Sequence, residues 1–454
     1  MSAGERRFGG WFERARAMAR REELRTLARR SREAILLAAA TGALTGVGVA
    51  LFERAVVDGL YDHLVELSPW VLAFMPLVGL LLAAPALRWV GRRSTPDTAD
   101  AYLQAFHDAR RPIRLREVPG KMLAAITTLG FGGAMGLEGP SLYLGSSIGT
   151  VLQTKFRRFV GRPDRRLLLV AGAAAGVSAI FKAPATGAVF ALEVPYQDDL
   201  ARRMLLPALV GSASSYLTFV AINGTAPILP VHGNPAFSFA DLAGAVVLGI
   251  LAGFGARAFA ALVVWAKHFA AATPPLVRIL AGGLSLVAIF AVTQVLAHEP
   301  ITIGVGYNTI AWAQSESRAV WLVLVILVLR CLATAATVGG GGVGGLFIPL
   351  VVAGALLGRA VGGVVGDFDT SLFLVIGVAA FLGAGYRVPL AAVMFVAEST
   401  GRPGFVVPGV LAAVSAELIM GRASVTTYQQ GNPATALVTP PEPPAAGPES
   451  PESG

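Results

Sequence analysis

The stretch GAAAGVSAIFKAPATGAVFALE, Gly172 to Glu193, has a near copy in GVAAFLGAGYRVPLAAVMFVAE, Gly377 to Glu398. Aligned without a gap, equivalent residues are 205 positions apart (389 − 184 for the two prolines), and five pairs coincide: Gly172 with Gly377, Lys182 with Arg387, Pro184 with Pro389, Phe190 with Phe395, and Glu193 with Glu398. Ala/Gly-rich segments resemble one another by composition alone, but composition does not hold charged and proline positions in register. The sequence therefore predicts two halves built on one plan.

The same register predicts that the likeness continues upstream of these stretches. It places three glycines of the first half, Gly139, Gly145 and Gly149, on Gly344, Leu350 and Gly354 of the second. Repeats of this kind in membrane proteins usually face each other about an axis, with the substrate site near the middle of the bilayer where broken helices of both halves meet. The functional residues are expected there.

The composition is that of a helical membrane protein. Of 454 residues, 54% are hydrophobic and only 14% are charged, at a mean hydropathy of +0.64, whereas about a quarter of a soluble protein is charged. Runs of near-spanning length lie at Ala34–Val57, Trp70–Val90, Met204–Ile222, Leu242–Trp265, Ile279–Ala297 and from Trp321 onward. The segments that follow Pro140, Pro184, Pro349 and Pro389 are interrupted by glycine and proline, which predicts half-helices that end at membrane depth.

The net charge of +9 does not indicate nucleic-acid binding, because the basic residues crowd the ends of apolar segments. Ten arginines precede the first span: Arg6, Arg7, Arg14, Arg16, Arg20, Arg21, Arg25, Arg29, Arg30 and Arg32. The positive-inside rule then places the N-terminus in the cytoplasm, and residues 1–33 read as a basic amphipathic helix on the inner membrane surface. Cys331 is the single cysteine and the five histidines lack ligand spacing, so no metal or cofactor site is expected.

The segment GLEGPSLYLGSSIG, Gly136 to Gly149, predicts a helix start with Pro140 as its first residue. Gly136 and Gly139 leave the backbone bare, so an anion can approach the free N–H groups of that start. Glu138 sits among them, and a carboxylate inside a membrane is a functional candidate by default. When ionised it would occupy the anion site, and when protonated it would leave and admit a halide.

The second half supplies the partner segment GGGGVGGLFIP, Gly339 to Pro349. Pro349 is expected to fix the turn at this helix start. The backbone N–H groups that would bind an anion there belong to Gly345, Leu346, Phe347 and Ile348. Backbone dipoles beside an apolar ring suit a weakly hydrated anion, because no fixed cation traps it. Gly339–Gly344 also fits the dinucleotide-binding pattern G-x-G-x-x-G, but no strand precedes it in a βαβ unit.

With these motifs the chain resembles the CLC family of chloride channels and proton-coupled chloride antiporters. GLEGP at Gly136 is similar to the family's GREGP motif and GLFIP at Gly345 to its GxFxP motif; further matches are RPIR at Arg111, GYN at Gly306 and KAPATGAVFALE at Lys182. The resemblance covers residues 34–428, with halves at about 34–222 and 240–428. It implies an all-α polytopic fold of two inverted halves with broken and tilted helices, and a homodimer with one pore in each subunit.

Carried over by motif, Glu138 matches the family's external gate and proton site, Phe347 an anion-lining phenylalanine, and Lys121 an anion-attracting charge. Gly139, Leu346 and Ile348 join them as anion-binding backbone positions. Tyr428 in SVTTYQQ is either the inner-gate tyrosine or an interfacial aromatic. Ser94, from the STPDT segment aligned with the family's serine motif, is either an anion ligand or an ordinary helix N-cap.

Two departures from the family pattern affect the expected function. Leu137 replaces an arginine, which should weaken anion capture at the outer mouth. Val194 stands where the family's antiporters carry their internal proton glutamate, and valine cannot relay a proton, while Glu193 is expected to be structural. The sequence thus favours a Glu138-gated anion channel without proton coupling; the alternative is a proton-linked chloride antiporter with a non-standard internal path.

An intramembrane hydrolase is the remote alternative, since Gly145–Gly149 spells G-x-S-x-G, although no His and Asp partners are in register. We therefore expect a transporter and not an enzyme, multi-pass in the plasma or inner membrane, acting on small anions and possibly coupled to protons. The proline-rich residues 429–454 are predicted to be a disordered cytoplasmic tail, too short for the regulatory CBS domains of many family members.

Overall fold

The computed structural model describes residues 32–156, 166–197, 199–226, 228–229, 237–315, 318–365 and 370–431. These residues form sixteen α-helices: α1 Arg32–Val65, α2 Pro69–Val90, α3 Ala99–His107, α4 Val118–Gly130, α5 Glu138–Lys155, α6 Leu167–Phe181, α7 Pro184–Glu193, α8 Leu205–Asn223, α9 Phe239–Ala272, α10 Pro275–Ala297, α11 Tyr307–Ala313, α12 Val320–Gly339, α13 Phe347–Val365, α14 Thr370–Tyr386, α15 Pro389–Thr400 and α16 Val406–Met420. The predicted all-helical fold is confirmed.

Eight of these helices are long and apolar enough to cross a bilayer: α1, α2, α8, α9, α10, α12, α13 and a segment through α16 that starts at Pro403. Large apolar side chains on their outer faces are exposed, among them Trp70 at 84% and Leu418 at 79%. Such a surface matches lipid and not water. The chain is thus a multi-pass membrane protein.

Helices α7 and α15 are too short to span the membrane and begin at the prolines of the repeat, Pro184 and Pro389. Proline is favoured there because the first N–H groups of a helix have no partner within it. The residues just before them, Lys182 and Arg387, both have left-handed backbone angles, with φ of 51° and 57°. Each residue ends one helix of the repeat so that the next can start at a new angle.

Backbone contacts between the halves are reciprocal. Gly136 and Gly345 exchange two hydrogen bonds, of 2.9 and 2.7 Å. The Ala134 N–H donates to Thr337 Oγ1 and the Val343 N–H donates to Thr128 Oγ1, each at 3.1 Å. An approximate two-fold axis that passes between Gly136 and Gly345 accounts for every such pair, as an inverted repeat requires.

The carboxylates in the last turns of α7 and α15 make hydrogen bonds that are exchanged between the halves in the same way. Glu193 accepts from the N–H groups of Leu390 and Ala391, at 3.1 and 2.8 Å, and Glu398 accepts from those of Ala185 and Thr186, at 2.9 and 2.7 Å. Each carboxylate thereby caps the N-terminus of the other half's short helix. This geometry is that of a structural carboxylate at Glu193.

The upstream register predicted from sequence is wrong by four residues. Helices α5 and α13 begin at Glu138 and Phe347, which are 209 positions apart (347 − 138), not 205. Gly139, Gly145 and Gly149 therefore correspond to Ile348, Gly354 and Gly358. Four residues are about one helical turn, so the glycines of GxxxG-like segments stay on the same face under either alignment.

The corrected register explains the helix packing. Gly145 of α5 lies against the carbonyl oxygen of Gly172 in α6, and Gly354 of α13 lies against that of Gly377 in α14. A Cβ on any of these glycines would collide with the backbone of the facing helix. Small residues at such crossings allow the close helix approach on which membrane helix packing depends.

The chain ends differ in part from expectation. The predicted surface helix over residues 1–33 lies outside the described residues except at its end, where α1 already begins at Arg32. The predicted disordered tail, 429–454, is described only to Gly431. Gln429 and Gln430 belong to the folded part: Gln429 is 8% exposed, and Gln430 exchanges backbone hydrogen bonds with Pro195 and Gln197, both of 3.2 Å.

Candidate functional site

The Glu138 side chain, from the first residue of α5, lies on the N-terminus of α13. Its Oε1 accepts a 2.6 Å hydrogen bond from the Phe347 N–H, and the Ile348 backbone also bonds to the carboxyl group. The side chain is 2% exposed, and Oε2 has no hydrogen-bond partner. The carboxylate of one half thus occupies the anion-binding end of the other half's helix.

Glycines surround this carboxyl group. A Cβ on Gly136 or Gly345 would collide with the Glu138 oxygens, and one on Gly139 would come within 2.9 Å of the Gly344 carbonyl oxygen. No other amino acid fits without moving the backbone or the gate. The glycines of GLEGP and GLFIP therefore leave room for the carboxylate or for an anion that replaces it.

Pro140 lies two residues further into its helix than predicted, and Pro349 has the equivalent position in the other half. Pro140 and Pro349 are each the third helical residue, because α5 begins at Glu138 and α13 at Phe347. A proline is tolerated there since the first four N–H groups of a helix make no intrahelical bond. The first N–H groups of α13, at Phe347 and Ile348, have no partner within the helix and bond to the Glu138 carboxyl group instead.

A hydroxyl group reaches the site from Thr98. Thr98 is the residue that precedes α3, is 3% exposed, and donates from Oγ1 to the Gly344 carbonyl oxygen at 3.3 Å. A Cβ on Gly139 would lie 2.6 Å from the same Oγ1. Ser94 lies in the turn after α2, with its N–H bonded to Leu87 and Gly91. The residue before α3 is therefore Thr98 and not Ser94, while Ser94, whose Oγ is buried without a hydrogen-bond partner, stays a prediction as an anion ligand.

An aromatic cluster covers the site, centred on the fully buried Phe347 ring. Its centroid lies 4.3 Å from that of Phe181, 5.1 Å from Phe395, 5.4 Å from Phe190 and 6.4 Å from Tyr386. Phe181 and Tyr386 are equivalent under the 205-residue register (386 − 181), as are Phe190 and Phe395. The four rings around Phe347 are therefore two pairs of equivalent residues, with one member of each pair from each half.

Tyr386, which no motif indicated, lies beside the site and is a second candidate for the inner tyrosine besides Tyr428. It is 2% exposed, its hydroxyl bonds to the Leu346 backbone, and it interacts electrostatically with Glu138. Tyr428 is 40% exposed, and in the described part of the chain the tyrosine packed on Phe347 is Tyr386. The sequence signal for Tyr386 was its position opposite Phe181 in the repeat.

Lys121 is buried, at 2% exposure, and contacts the backbone segment that leads to Thr98. Its Nζ donates to the Asp97 carbonyl oxygen at 2.7 Å and lies 4.7 Å from the centroid of the Tyr143 ring. Glu117 is 4.0 Å away. Lys121 thus fixes the segment before α3 as well as supplying a positive charge inside the protein.

Val194, at the position of the missing carboxylate, is 1% exposed and packed in the core. Its carbonyl oxygen accepts a 3.0 Å hydrogen bond from the side-chain amide of Gln429, which also donates to the Tyr386 carbonyl oxygen at 2.7 Å. The amide closes this region by linking Tyr386 to the end of α7. Neither Val194 nor Gln429 offers an acid that titrates.

The hydroxyl groups of both serines in the GSSIG segment make hydrogen bonds within their own helix. The hydroxyls of Ser146 and Ser147 donate to the carbonyl oxygens of Leu142 and Tyr143, four residues earlier in α5, at 2.7 and 2.6 Å. Both serines are buried at the contact with α6. The two serines thus serve helix packing. Their contacts do not support the hydrolase alternative, in which one of them would be the nucleophile.

The arrangement makes two chemical states possible at one place. Ionised, the Glu138 carboxylate satisfies the backbone N–H donors of Phe347 and Ile348; protonated, it accepts from them poorly and an anion can bind instead. Dipoles without a neighbouring fixed cation bind such an ion and still release it. Gly139, Leu346 and the Thr98 hydroxyl line the same spot.

Comparisons with known proteins agree with this geometry. Residues 79–421 match the family model described as voltage gated chloride channel. The chain is 30% identical over 424 residues to the H⁺/Cl⁻ exchange transporters ClcA of Salmonella paratyphi B and Salmonella typhimurium, covering 88% of each chain.

Solved structures show the same fold. A slow cyanobacterial Cl⁻/H⁺ antiporter matches with a TM-score of 0.76 at 21% identity, over 86% of this chain and 94% of that one. A CLC-type fluoride/proton antiporter matches with 0.75 at 22%, over 88% and 98%. From its family model, its relatives and its inverted-repeat fold, this chain belongs to the CLC family of voltage-gated chloride channels and transporters.

Proposed function

We propose that this chain is a proton-linked anion exchanger whose substrate is chloride or a similar small anion. The observation that carries the proposal is the Glu138 carboxyl group, which accepts from the Phe347 N–H at the place where an anion would bind. The ionised carboxylate and an anion then compete for one site, and a proton on Glu138 favours the anion. The exchange of chloride for protons by the Salmonella relatives supports the same reading.

This proposal replaces the uncoupled channel expected from Val194. That expectation depended on one missing glutamate, and the similar proteins described above are exchangers or antiporters. A chain can keep proton coupling without a carboxylate at Val194 if another group reaches the interior. The alternative expected from the sequence, an antiporter with a non-standard internal path, is therefore the better account.

The exchange cycle follows from the two states of Glu138. A proton that reaches the carboxylate neutralises it and frees the N–H donors of Phe347 and Ile348 for an anion. When the anion leaves, the side chain can release its proton to the other side and return. One binding position then alternates between an anion and a carboxylate, which links the two fluxes.

Chloride is the proposed substrate, with fluoride as the second candidate from the CLC-type fluoride/proton antiporter. The site offers backbone amides, the Thr98 hydroxyl and the ring of Phe347, which is 0% exposed. These donors suit a large, weakly hydrated halide better than the strongly hydrated fluoride ion. We also propose, from the family resemblance, a homodimer in the plasma or inner membrane with both termini cytoplasmic.

A flux assay in liposomes tests the proposal. The purified full-length protein is reconstituted with crossed chloride and proton gradients, and the reversal potential is measured. An exchanger gives a potential that depends on both gradients, and a chloride gradient drives protons uphill. A pure chloride Nernst potential that ignores the proton gradient would establish the channel instead. Replacing chloride with fluoride or nitrate in the same assay ranks the anions.

A further inference from the structure

Asp100 is a second acidic side chain inside the membrane part, and the cycle above does not use it. It lies in the first turn of α3, two residues after Thr98, and is 6% exposed. Its Oδ2 accepts a 2.7 Å hydrogen bond from Lys267 Nζ, but its Oδ1 is buried without a hydrogen-bond partner. A buried carboxylate with a free oxygen is costly, so its retention inside a transport protein points to use.

Lys267 connects Asp100 with the surface. The Lys267 side chain, from the last two turns of α9, is 26% exposed, compared with 8% for the Asp100 side chain. The same Nζ donates to the Val425 carbonyl oxygen at 3.2 Å, just beyond the end of α16. The ion pair therefore stands between the protein interior and the face on which the described chain ends.

Tyr386 is close enough to both carboxyl groups to feel their charges. It interacts electrostatically with both Asp100 and Glu138, and its hydroxyl bonds to the Leu346 backbone beside the anion position. A hydroxyl group can accept one proton and donate another, so it can join two carboxyl groups that do not touch. Two titratable groups on neighbouring elements interact with Asp100 in the described structure: Lys267 of α9, by an ion pair, and Tyr386 of α14, electrostatically.

Resting on the exchange function proposed above, we propose that Asp100 is the inner proton-transfer residue of this chain. Its free Oδ1 takes a proton from the aqueous face beside Lys267 and passes it, through the Tyr386 hydroxyl or a water beside it, to Glu138 Oε2. One proton moves: Asp100 returns to a carboxylate paired with Lys267, and Glu138 becomes a neutral acid that releases the Phe347 N–H. No other bond forms or breaks.

The position differs from that of Val194, which lies at the end of α7, whereas Asp100 starts α3. Oε2 of Glu138 and Oδ1 of Asp100 are each buried without a hydrogen-bond partner in the described structure. Each carboxyl group thus has one oxygen held, by Phe347 and Lys267 respectively, and one available to exchange a proton. That pairing of a held and a free oxygen at both ends is what a relay needs.

Asp100→Asn in the full chain tests the relay, with proton and chloride fluxes measured together in liposomes. Proton flux is expected to fall by at least about tenfold, while chloride flux persists. Glu299→Gln is the matched control, because it removes the charge from a 2.8 Å ion pair with Arg318 in which the Glu299 side chain is 46% exposed. The control should keep the wild-type ratio of protons to chloride.

Wild-type coupling separates this proposal from the proposed function. If the wild type moves no protons against their gradient, exchange itself fails; if it does, and Asp100→Asn keeps the wild-type ratio, Asp100 is only the partner of Lys267 and the relay is wrong. Should Asp100→Asn not fold, Lys267→Gln carries the test. Loss of the cation frees the second oxygen of Asp100, so the ratio of protons to chloride should change; an unchanged ratio overturns the relay.

Discussion

Glu138 and Phe347 are equivalent residues of the two halves, and the first is bound to the second. Each begins its helix, 209 positions apart (347 − 138), and Glu138 Oε1 accepts a 2.6 Å hydrogen bond from the Phe347 N–H. The symmetry that builds the fold thus brings an acid of one half to the helix N-terminus of the other. Only one of the two equivalent positions carries an acid, so this symmetric pair of helix starts holds one carboxyl group, that of Glu138.

Glu138→Gln should remove the pH dependence of anion flux and the coupling to protons. In the wild type, flux should rise as pH falls, because the neutral acid leaves the N–H donors of Phe347 and Ile348 while the carboxylate holds them. The amide cannot ionise, so chloride flux in liposomes should be flat with pH. Glutamine keeps the shape of the side chain, and Glu66→Gln on the exposed surface serves as the control. A variant that retains the wild-type pH profile would place the gate elsewhere.

Gly345→Ala should impair transport by displacing the gate. A Cβ there collides with the Glu138 carboxyl group and comes within 2.6 Å of the Gly139 nitrogen. Overpacking of this kind costs about 1 to 3 kcal/mol, which corresponds to about a fivefold to hundredfold loss in occupancy of the native arrangement. Coupled chloride and proton flux is the measurement. Gly404→Ala, which meets no atom within 4 Å, should leave flux unchanged.

The meeting of Glu138, Gly345 and Phe347 could be predicted from the sequence, because both helix starts carry glycine and proline and belong to one repeat. The upstream register could not. A shift of four residues is about one helical turn, so the glycine stripe of Gly145 and Gly149 remains aligned whichever offset is chosen. The helix starts at Glu138 and Phe347, and the packing of Gly145 on Gly172 and of Gly354 on Gly377, distinguish the two.

Thr98→Ala should weaken anion binding, whereas Ser94→Ala should not. The Thr98 hydroxyl reaches the carbonyl oxygen of Gly344 at 3.3 Å beside the gate, while Ser94 lies in the turn after α2. Loss of one hydrogen-bond donor to an anion corresponds to about 1.5 to 3 kcal/mol, or at least about tenfold in affinity. Isothermal titration of chloride into the purified protein measures it. Equal affinities in Thr98→Ala and wild type would remove the hydroxyl from the site.

The choice between the two hydroxyl residues illustrates what the sequence lacked. STPDT contains Ser94, Thr95 and Thr98 within five residues, and the motif alone does not say which one precedes the helix. The N-cap position depends on where α3 starts, and Ala99 begins it in the structure. Tyr428 stays a prediction for a similar reason, since a short motif does not encode the fold of a loop after α16. Tyr386 could have been found from its repeat partner, Phe181.

Tyr386→Phe should slow proton-coupled exchange, and Tyr428→Phe should have no effect. Phenylalanine keeps the ring contacts of Tyr386 with Phe347 and Phe190, at 6.4 and 5.5 Å between centroids, and removes only the hydroxyl that bonds to the Leu346 backbone. The proton-to-chloride ratio is the readout, since a packing defect would lower both fluxes together. Tyr428 is 40% exposed, so its hydroxyl can be removed without such a loss. The opposite pattern would restore Tyr428 as the inner tyrosine.

Glu193→Gln and Glu398→Gln should each destabilise the protein without changing ion selectivity. Each carboxylate accepts two N–H bonds from the short helix of the other half, and Glu398 also accepts a 2.6 Å bond from the Thr186 hydroxyl. A lost charged cap costs about 1 to 3 kcal/mol, and the extra bond makes Glu398→Gln the more damaging of the two. Thermal unfolding of the purified variants measures the difference.

The double variant then tests whether the caps act as one unit. If α7 and α15 hold each other across the two-fold axis, removing the second cap should cost less than removing the first, because the paired helix starts are already loosened. Strictly additive losses in unfolding temperature would mean that the two caps are independent. Proton coupling that disappears in Glu193→Gln, with stability unchanged, would instead make Glu193 part of the proton path and contradict its structural role.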